Sequence, residues 1–343
     1  MEADFRGRVL FVAKVAGASL ILAAALFYVP DVLLLIFAGI LVSILLTSLS
    51  GVLTKYAHLP AKLSLAIVVI LILGLVGTAG YFAAPSVAEQ SDALVQMIPE
   101  SVEEIRTRIE GYSWGQNILD EVEPAQMLPA SRRMMGGVGG AFSSLLGWFA
   151  NLVIIMFIGL YGAVEPGTYT RGFLHLIPEP NRERTAEVLS EIGETLQWWL
   201  IGKFFGMAVI GVSTALGLWL LDVPLALVLG IIAALFTFIP NIGPILAAVP
   251  AVLLGFTVSP QHALYVGLLY TGIQVVETYL LTPLVERKTI ELPPALTLAA
   301  QVLLGVAVGG LGVALATPLM AVALVATKRL YVEDELGDPM DAK

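Results

Sequence analysis

The stretch FIPNIGPILAAVP, residues 238–250, decides how this chain is read. It lies in one of the most apolar parts of the sequence, yet Pro240, Asn241, Gly243, Pro244 and Pro250, all poor helix residues, crowd into it. The surrounding apolar run, residues 223–258, is about 36 residues long. That is too much for one membrane span of about 20 residues and barely enough for two. A break at 240–244 divides the run into two half-length helices. Unwound backbone at membrane depth is tolerated only where protein buries it or where it lines a polar cavity.

Composition supports a membrane setting. Of 343 residues, 58% are hydrophobic and 13% charged, with a mean hydropathy of +0.89; soluble domains carry about 25% charged residues. Further apolar runs begin near Val9, Val32, Leu63, Phe142, Ile201 and Ala263, and a second long one covers 295–327. The expected fold class is therefore all-α: a polytopic integral membrane protein whose partner is the lipid bilayer. Cysteine is absent, which excludes a disulfide framework, thiol chemistry and a cysteine metal site. The net charge of -9, with an acidic VEDELGDPMD tail, argues against nucleic acid as a partner. His58, His175 and His262 stand apart, and no zinc-protease, Walker or nucleophile-elbow pattern occurs. No enzyme activity, metal or cofactor is expected.

Lysine and arginine set the orientation, because they collect in short cytoplasmic loops. Arg6, Arg8 and Lys14 place the N-terminus inside, followed by a first helix that is retained rather than cleaved as a signal peptide. The chain then turns outside at Pro30, returns at Lys55 and Lys62, and exits along 63–84. Residues 85–140 form an outer segment with a short helix, marked by the capping box Ser101–Glu104 and a stop at Gly111. Helix 142–164 comes back in. In the segment after it, Ala186, Leu189, Ile192, Leu196 and Trp199 share one helical face, which lies on the membrane or on a neighbouring helix, with Trp198 and Trp199 at interfacial depth. A separate span, 201–221, goes out.

The ends of the 223–258 run, LDVP and SPQH, lack Lys and Arg and are read as outside. The 295–327 run is broken by GGLG at 309–312, and Arg287, Lys288, Lys328 and Arg329 hold both its ends inside. The two broken runs also match each other at an offset of about 69 residues: Pro224 with Pro293, Ala226 with Ala295, Leu227 with Leu296, Gly243 with Gly312, and Ala247 with Ala316. Interrupted apolar segments at matching positions of inverted halves point to the binding site of a secondary transporter. The expected parts are a scaffold of three helices in 1–84, the outer segment 85–140, helix four with the cytoplasmic amphipathic helix in 141–200, a transport core 201–327 with hairpins 223–258 and 295–327, and an acidic tail 328–343.

The segments FIPNIGPILAAVPAVLLGF, VVETYLLTPLVERKTIELPPALTL and LLGVAVGGLGVALATPLMAVAL together resemble the signature regions of the autoinducer-2 exporter family of bacterial and archaeal permeases. The resemblance extends over most of the chain, and its specific part is the C-terminal half. It implies about eight membrane segments per subunit, homo-oligomeric assembly with a pentamer among the options, a place in the cytoplasmic membrane, and export of small molecules such as autoinducer-2. Some members are described as sodium or lithium/proton antiporters. The family's IPxxGP pattern falls on Ile239, Pro240, Gly243 and Pro244; its E...LTP pattern on Glu277, Leu281, Thr282 and Pro283; its LxP on Leu292 and Pro294; and its glycine pattern on Gly305, Gly309, Gly310 and Gly312. One departure is LTSLSGVLTK, 46–55, read as the turn after the second helix, where a proline is expected and none occurs.

Residues able to carry transport chemistry are few. Glu277 and Gln274 share a helix face in an apolar stretch, and an intramembrane carboxylate reads by default as a proton or ion site. Lys203 is its candidate ion-pair partner; the bland alternatives are an interfacial carboxylate and a snorkelling lysine. Asn241 offers a donor and an acceptor to a hydroxylated substrate, or simply caps a half-helix. Gln301 and Thr297 are candidate ligands from the second hairpin, or packing residues. With Pro240, Gly243, Pro244, Gly309, Gly310 and Gly312 at the hairpin tips, they form the expected substrate or ion site. The substrate is expected to be a small polar molecule or a monovalent cation exchanged for protons. A scaffold that transports nothing is the alternative of a different class.

Overall fold

The computed structural model describes residues 29–75, 138–281, 292–334 and 336–337, with isolated residues between 77 and 107. The expected first helix, the capping box Ser101–Glu104 with Gly111, and the basic turn with Arg287 and Lys288 lie outside the described residues. Among the described residues every regular element is a helix. Four are long and apolar enough to cross a membrane, and a bent pair at 149–175 makes a fifth candidate. Four shorter apolar helices accompany them.

Helix α1 (Pro30–Ala57) begins with proline at its first turn, where the missing N–H costs nothing. It runs unbroken through 46–55, the stretch read above as a turn, and stops at His58, whose φ is 55°. No proline is needed there because no turn is there: the Thr47 hydroxyl donates to the Ser43 carbonyl at 2.6 Å, which satisfies it inside the helix. Helix α2 (Ala61–Leu75) folds back, and its Leu65 and Val68 are buried with Leu46 of α1 and Ala163 of α3 (Val138–Val164). A Cβ at Gly39 would meet Ile158, one at Gly159 would meet Val42, and one at Gly162 would meet Ser43. Position numbers rise together along both helices, so α1 and α3 run parallel with small residues at the seam. The charge-based topology sends both helices in the same direction.

At Glu165 and Pro166 the chain bends by 87° into the short α4 (Pro166–His175). After a 3-10 turn at Glu179–Asn181 comes α5 (Arg182–Leu220), one continuous helix of 39 residues. The separate elements expected on either side of 200/201 are thus a single rod. At about 1.5 Å per residue it reaches roughly 58 Å, about twice the hydrocarbon thickness, so it is far longer than one span requires. The amphipathic face of that half lies on neighbouring helices: Leu196 and Leu200 are buried with Leu34, Ala38 and Leu41 of α1 and with Leu315 and Ala321 of the last helix, and Ile192 and Trp199 pack against this cluster.

The first hairpin consists of α6 (Ala226–Thr237) and α7 (Ile242–Val258). Helix α6 has 12 residues, about 18 Å, too short to span about 30 Å of hydrocarbon. It packs antiparallel on α5 through Gly211, Ala215, Gly230 and Ala234, where a Cβ at either glycine would strike the other helix. Helix α8 (Pro260–Val276) follows a sharp corner at Ser259, whose hydroxyl accepts the His262 N–H at 3.2 Å as an N-cap. It continues into a π-helical turn, Glu277–Leu281. The second hairpin is α9 (Pro294–Val308) and α10 (Gly310–Ala326), extended by a π-helical segment Thr327–Glu333.

The first residues of the expected acidic tail therefore continue the last helix, and they are held by ion pairs. Arg329 grips Glu191 of α5 through two hydrogen bonds of 2.7 and 2.9 Å and Glu333 at 2.6 Å. Arg184 meets Glu333 at 3.1 Å and Asp334 at 3.0 Å. This clasp ties α5 to the end of α10.

Candidate functional site

The turn between α6 and α7 shows why this sequence breaks where it does. Ile239 N–H donates to the Phe236 carbonyl at 2.9 Å, Gly243 N–H to the Ile239 carbonyl at 3.0 Å, and Ile242 N–H to the Pro240 carbonyl at 2.8 Å, so the tip is a chain of tight turns. Asn241, at φ 66° and ψ -50°, is the centre of a γ-turn closed by the Ile242 N–H to Pro240 carbonyl bond, a rare and strained conformation. Gly243 is obligatory for another reason, since a Cβ there would overlap the Phe236 carbonyl oxygen. Gly312, its repeat partner, stands in the same relation to the Leu304 carbonyl. Both hairpins thus seat a glycine of the second helix against a carbonyl of the first, although the turns differ, four residues at 238–241 and Gly309 alone in the other.

At the first tip lies a cavity of about 350 Å³. The tip supplies Thr237, Pro240, Asn241 and Pro244; α5 supplies Trp199, Gly202, Lys203 and Gly206; the end of α8 and its π turn supply Gln274, Glu277, Thr278 and Leu281; and the second hairpin supplies Leu292, Pro294, Thr297 and Thr317. Lys203 and Glu277 thus lie on different walls of one cavity, close enough to interact electrostatically. Glu277 opens the π turn, a deformation that recurs at functional sites. Asn241 makes no side-chain cap hydrogen bond, so capping is not what occupies its amide. Trp199 meets Phe238 of the tip edge to face at 5.6 Å.

The structure divides the expected site residues into two groups. It brings Pro240, Asn241, Pro244, Glu277, Gln274 and Lys203 to one cavity, with Gly243 buried directly behind the tip. Gln301 is fully buried beside them, and its Nε2 donates to the Pro240 carbonyl at 3.1 Å, joining the second hairpin to the tip of the first. Gly309, Gly310 and Gly312 do not line the cavity: Gly309 and Gly310 are exposed and Gly312 is packed on α9. The second hairpin reaches the cavity by its shaft, at Thr297 and Thr317, rather than by its tip. The register accounts for this, because Gln301 and Thr317 lie eight positions on either side of Gly309, level with each other and well below the turn. Sequence reasoning missed Thr237, Thr278 and Thr317, whose hydroxyls look ordinary in an apolar helix. Two other polar residues of the apolar segments, Asn151, exposed on α3, and Glu165, at the elbow after it, do not line the cavity.

Among the described residues no group of His, Cys, Asp and Glu is arranged to hold a metal ion. The cavity combines one ammonium, one carboxylate, two side-chain amides and four threonine hydroxyls. Such a set can bind a small polar or singly charged species.

Comparison with known proteins agrees with the architecture. A Bacillus subtilis protein named "Putative transport protein YrrI" is 25% identical over 302 residues, covering 84% of this chain and 85% of the relative. A second from the same organism, YueF, is 24% identical over 278 residues, covering 77% and 75%. A Methanothermobacter thermautotrophicus protein named "Putative transport protein" is 40% identical over a shorter 75 residues, 22% of each chain. The profile of the AI-2E family transporters matches residues 17–331, nearly the whole sequence. The chain belongs to the AI-2E family of membrane transporters.

Proposed function

We propose that the protein is a secondary transporter of the cytoplasmic membrane that exports a small polar molecule resembling autoinducer-2, driven by the substrate gradient or the proton-motive force. The observation that carries this reading is the opening of the first hairpin's unwound tip onto a cavity that also holds Lys203 and Glu277. Charged groups are costly inside a bilayer and are kept where they serve a pathway. Alternating access follows if the two hairpins, joined through Gln301 and Pro240, move against the scaffold in 1–84, which includes α1 and α2. Both termini are cytoplasmic and the subunits form a homo-oligomer in this reading. A transport-free scaffold is disfavoured because it has no use for paired helix breaks. The test is release of labelled autoinducer-2 from reconstituted vesicles, with Asn241→Cys before and after thiol modification. Release that needs the protein and stops on modification supports export through the cavity; release unaffected by modification rejects it.

A second reading has its own observation, the Glu277 carboxylate at the π turn facing the cavity. There the protein exchanges sodium or lithium for protons. Proton movement on adding either cation, lost in Glu277→Gln, is the expected signature; persistence of the signal in that variant removes Glu277 from the ion path.

A further inference from the structure

Helix α4 has no role in the cavity, yet its geometry is specific. It leaves α3 at 87°, so with α3 across the membrane α4 lies along the membrane plane at the face where α3 ends. Tyr169, Phe173 and Leu176 fall on one arc at helical spacing and are 58%, 48% and 80% exposed. Thr168, Arg171 and His175 occupy the opposite arc, where the His175 Nδ1 lies 2.6 Å from the Arg171 carbonyl oxygen. Leu174, between the arcs, is half-buried and turns toward the rest of the chain. No residue of α4 is buried.

We propose that α4 is an in-plane anchor whose Tyr169, Phe173 and Leu176 insert into the headgroup–acyl boundary of the leaflet at which α3 ends, the cytoplasmic leaflet on the topology given above. Continuity with a membrane-spanning helix sets its depth, because the elbow at Glu165 and Pro166 turns α4 by 87° where α3 ends. Aromatic side chains with a polar edge favour that boundary, and an amphipathic helix in the plane buries its apolar arc there. Charge does not drive the seating. Between residues 165 and 183 three carboxylates, Glu165, Glu179 and Glu183, outnumber two guanidiniums, Arg171 and Arg182, and Arg182 already donates to the Ile177 carbonyl at 3.0 Å. The anchor therefore engages zwitterionic phospholipid as well as anionic lipid.

The absence of cysteine makes the test direct. Single nitroxide labels are placed in the full-length protein by Tyr169→Cys, Phe173→Cys, Leu176→Cys, Thr168→Cys and His175→Cys, with Leu152→Cys on the exposed side of α3 as a reference within the bilayer. Collision with dissolved oxygen and with a water-soluble nickel chelate is measured in phosphatidylcholine vesicles, with and without phosphatidylglycerol. The expected result is oxygen-dominated collision at 169, 173 and 176, shallower than at 152, chelate-dominated collision at 168 and 175, and no change with phosphatidylglycerol. Equal chelate access on both arcs would show that α4 stands off the membrane. Exclusion of both reagents at 169, 173 and 176 would show protein covering the arc. A requirement for phosphatidylglycerol would show attraction by charge. Each of these outcomes overturns the proposal, and because all five positions are exposed, the substitutions leave the packing of the chain intact.

Discussion

Three glycines at the hairpin turns separate two physical reasons for a glycine, and substituting each by alanine tests both. At Gly243 the added methyl would overlap the Phe236 carbonyl oxygen, a backbone atom held in place by its bond from Ile239 N–H. No flexible side chain can yield there, so the two helices of the hairpin must part, at a cost toward the upper end of the range of about 1–3 kcal/mol for overpacking. At Gly309 nothing lies within 4 Å of the added methyl, but φ 71° and ψ -147° form a region essentially closed to L side chains, with a cost of about 1–3 kcal/mol from conformation alone. At Gly310 neither obstacle exists, and its place in the first turn of α10 favours alanine by up to about 1 kcal/mol. The assay is reversible unfolding in mixed detergent micelles, followed through the five tryptophans. The expected order of stability is Gly310→Ala at or above wild type, with Gly309→Ala and Gly243→Ala below it. Only Gly243→Ala should also change thiol labelling at an Asn241→Cys reporter, because only Gly243 supports the tip that lines the cavity. Equal stability of Gly243→Ala and Gly310→Ala would refute the close approach of α6 and α7.

Two other outcomes follow from the buried amide and from the ion-pair clasp. Gln301→Leu removes one hydrogen bond, worth about 1 kcal/mol, together with a buried amide oxygen that has no protein partner, so stability should stay within about 1 kcal/mol of wild type while Asn241→Cys labels faster; Gln301→Glu, which sets a carboxylate against the Pro240 carbonyl, should destabilise by more than about 2 kcal/mol. Arg329→Ala should speed amide hydrogen exchange along Thr327–Glu333 and at the start of α5 while leaving α6 and α7 unchanged, and the difference should shrink in high salt because the pairs are partly exposed; exchange that stays the same would mean the clasp orders nothing.

The membrane class, the helical fold and two helix breaks were readable from residue types, because hydropathy, proline and glycine act locally; the breaks expected at 240–244 and 309–312 fall at 238–241 and at Gly309. The relative direction of α1 and α3 was readable too: lysine and arginine placement sends them the same way, and the seam of Gly39, Gly159 and Gly162 is parallel. The transporter family followed from motifs clustered in the C-terminal half. What the chain could not disclose by itself depends on which helix lies beside which. Residues 200 and 201 fall within one rod, whose first half buries Leu196 and Leu200 against α1 and α10. Glu277 starts a π turn, a change of hydrogen-bond register that no residue pattern announces. The second hairpin meets the cavity with Thr297 and Thr317 instead of its glycine tip, because two matching hairpins laid tip to shaft present different levels to the same space. Tertiary packing made that choice, and it decided which of two similar breaks faces the cavity.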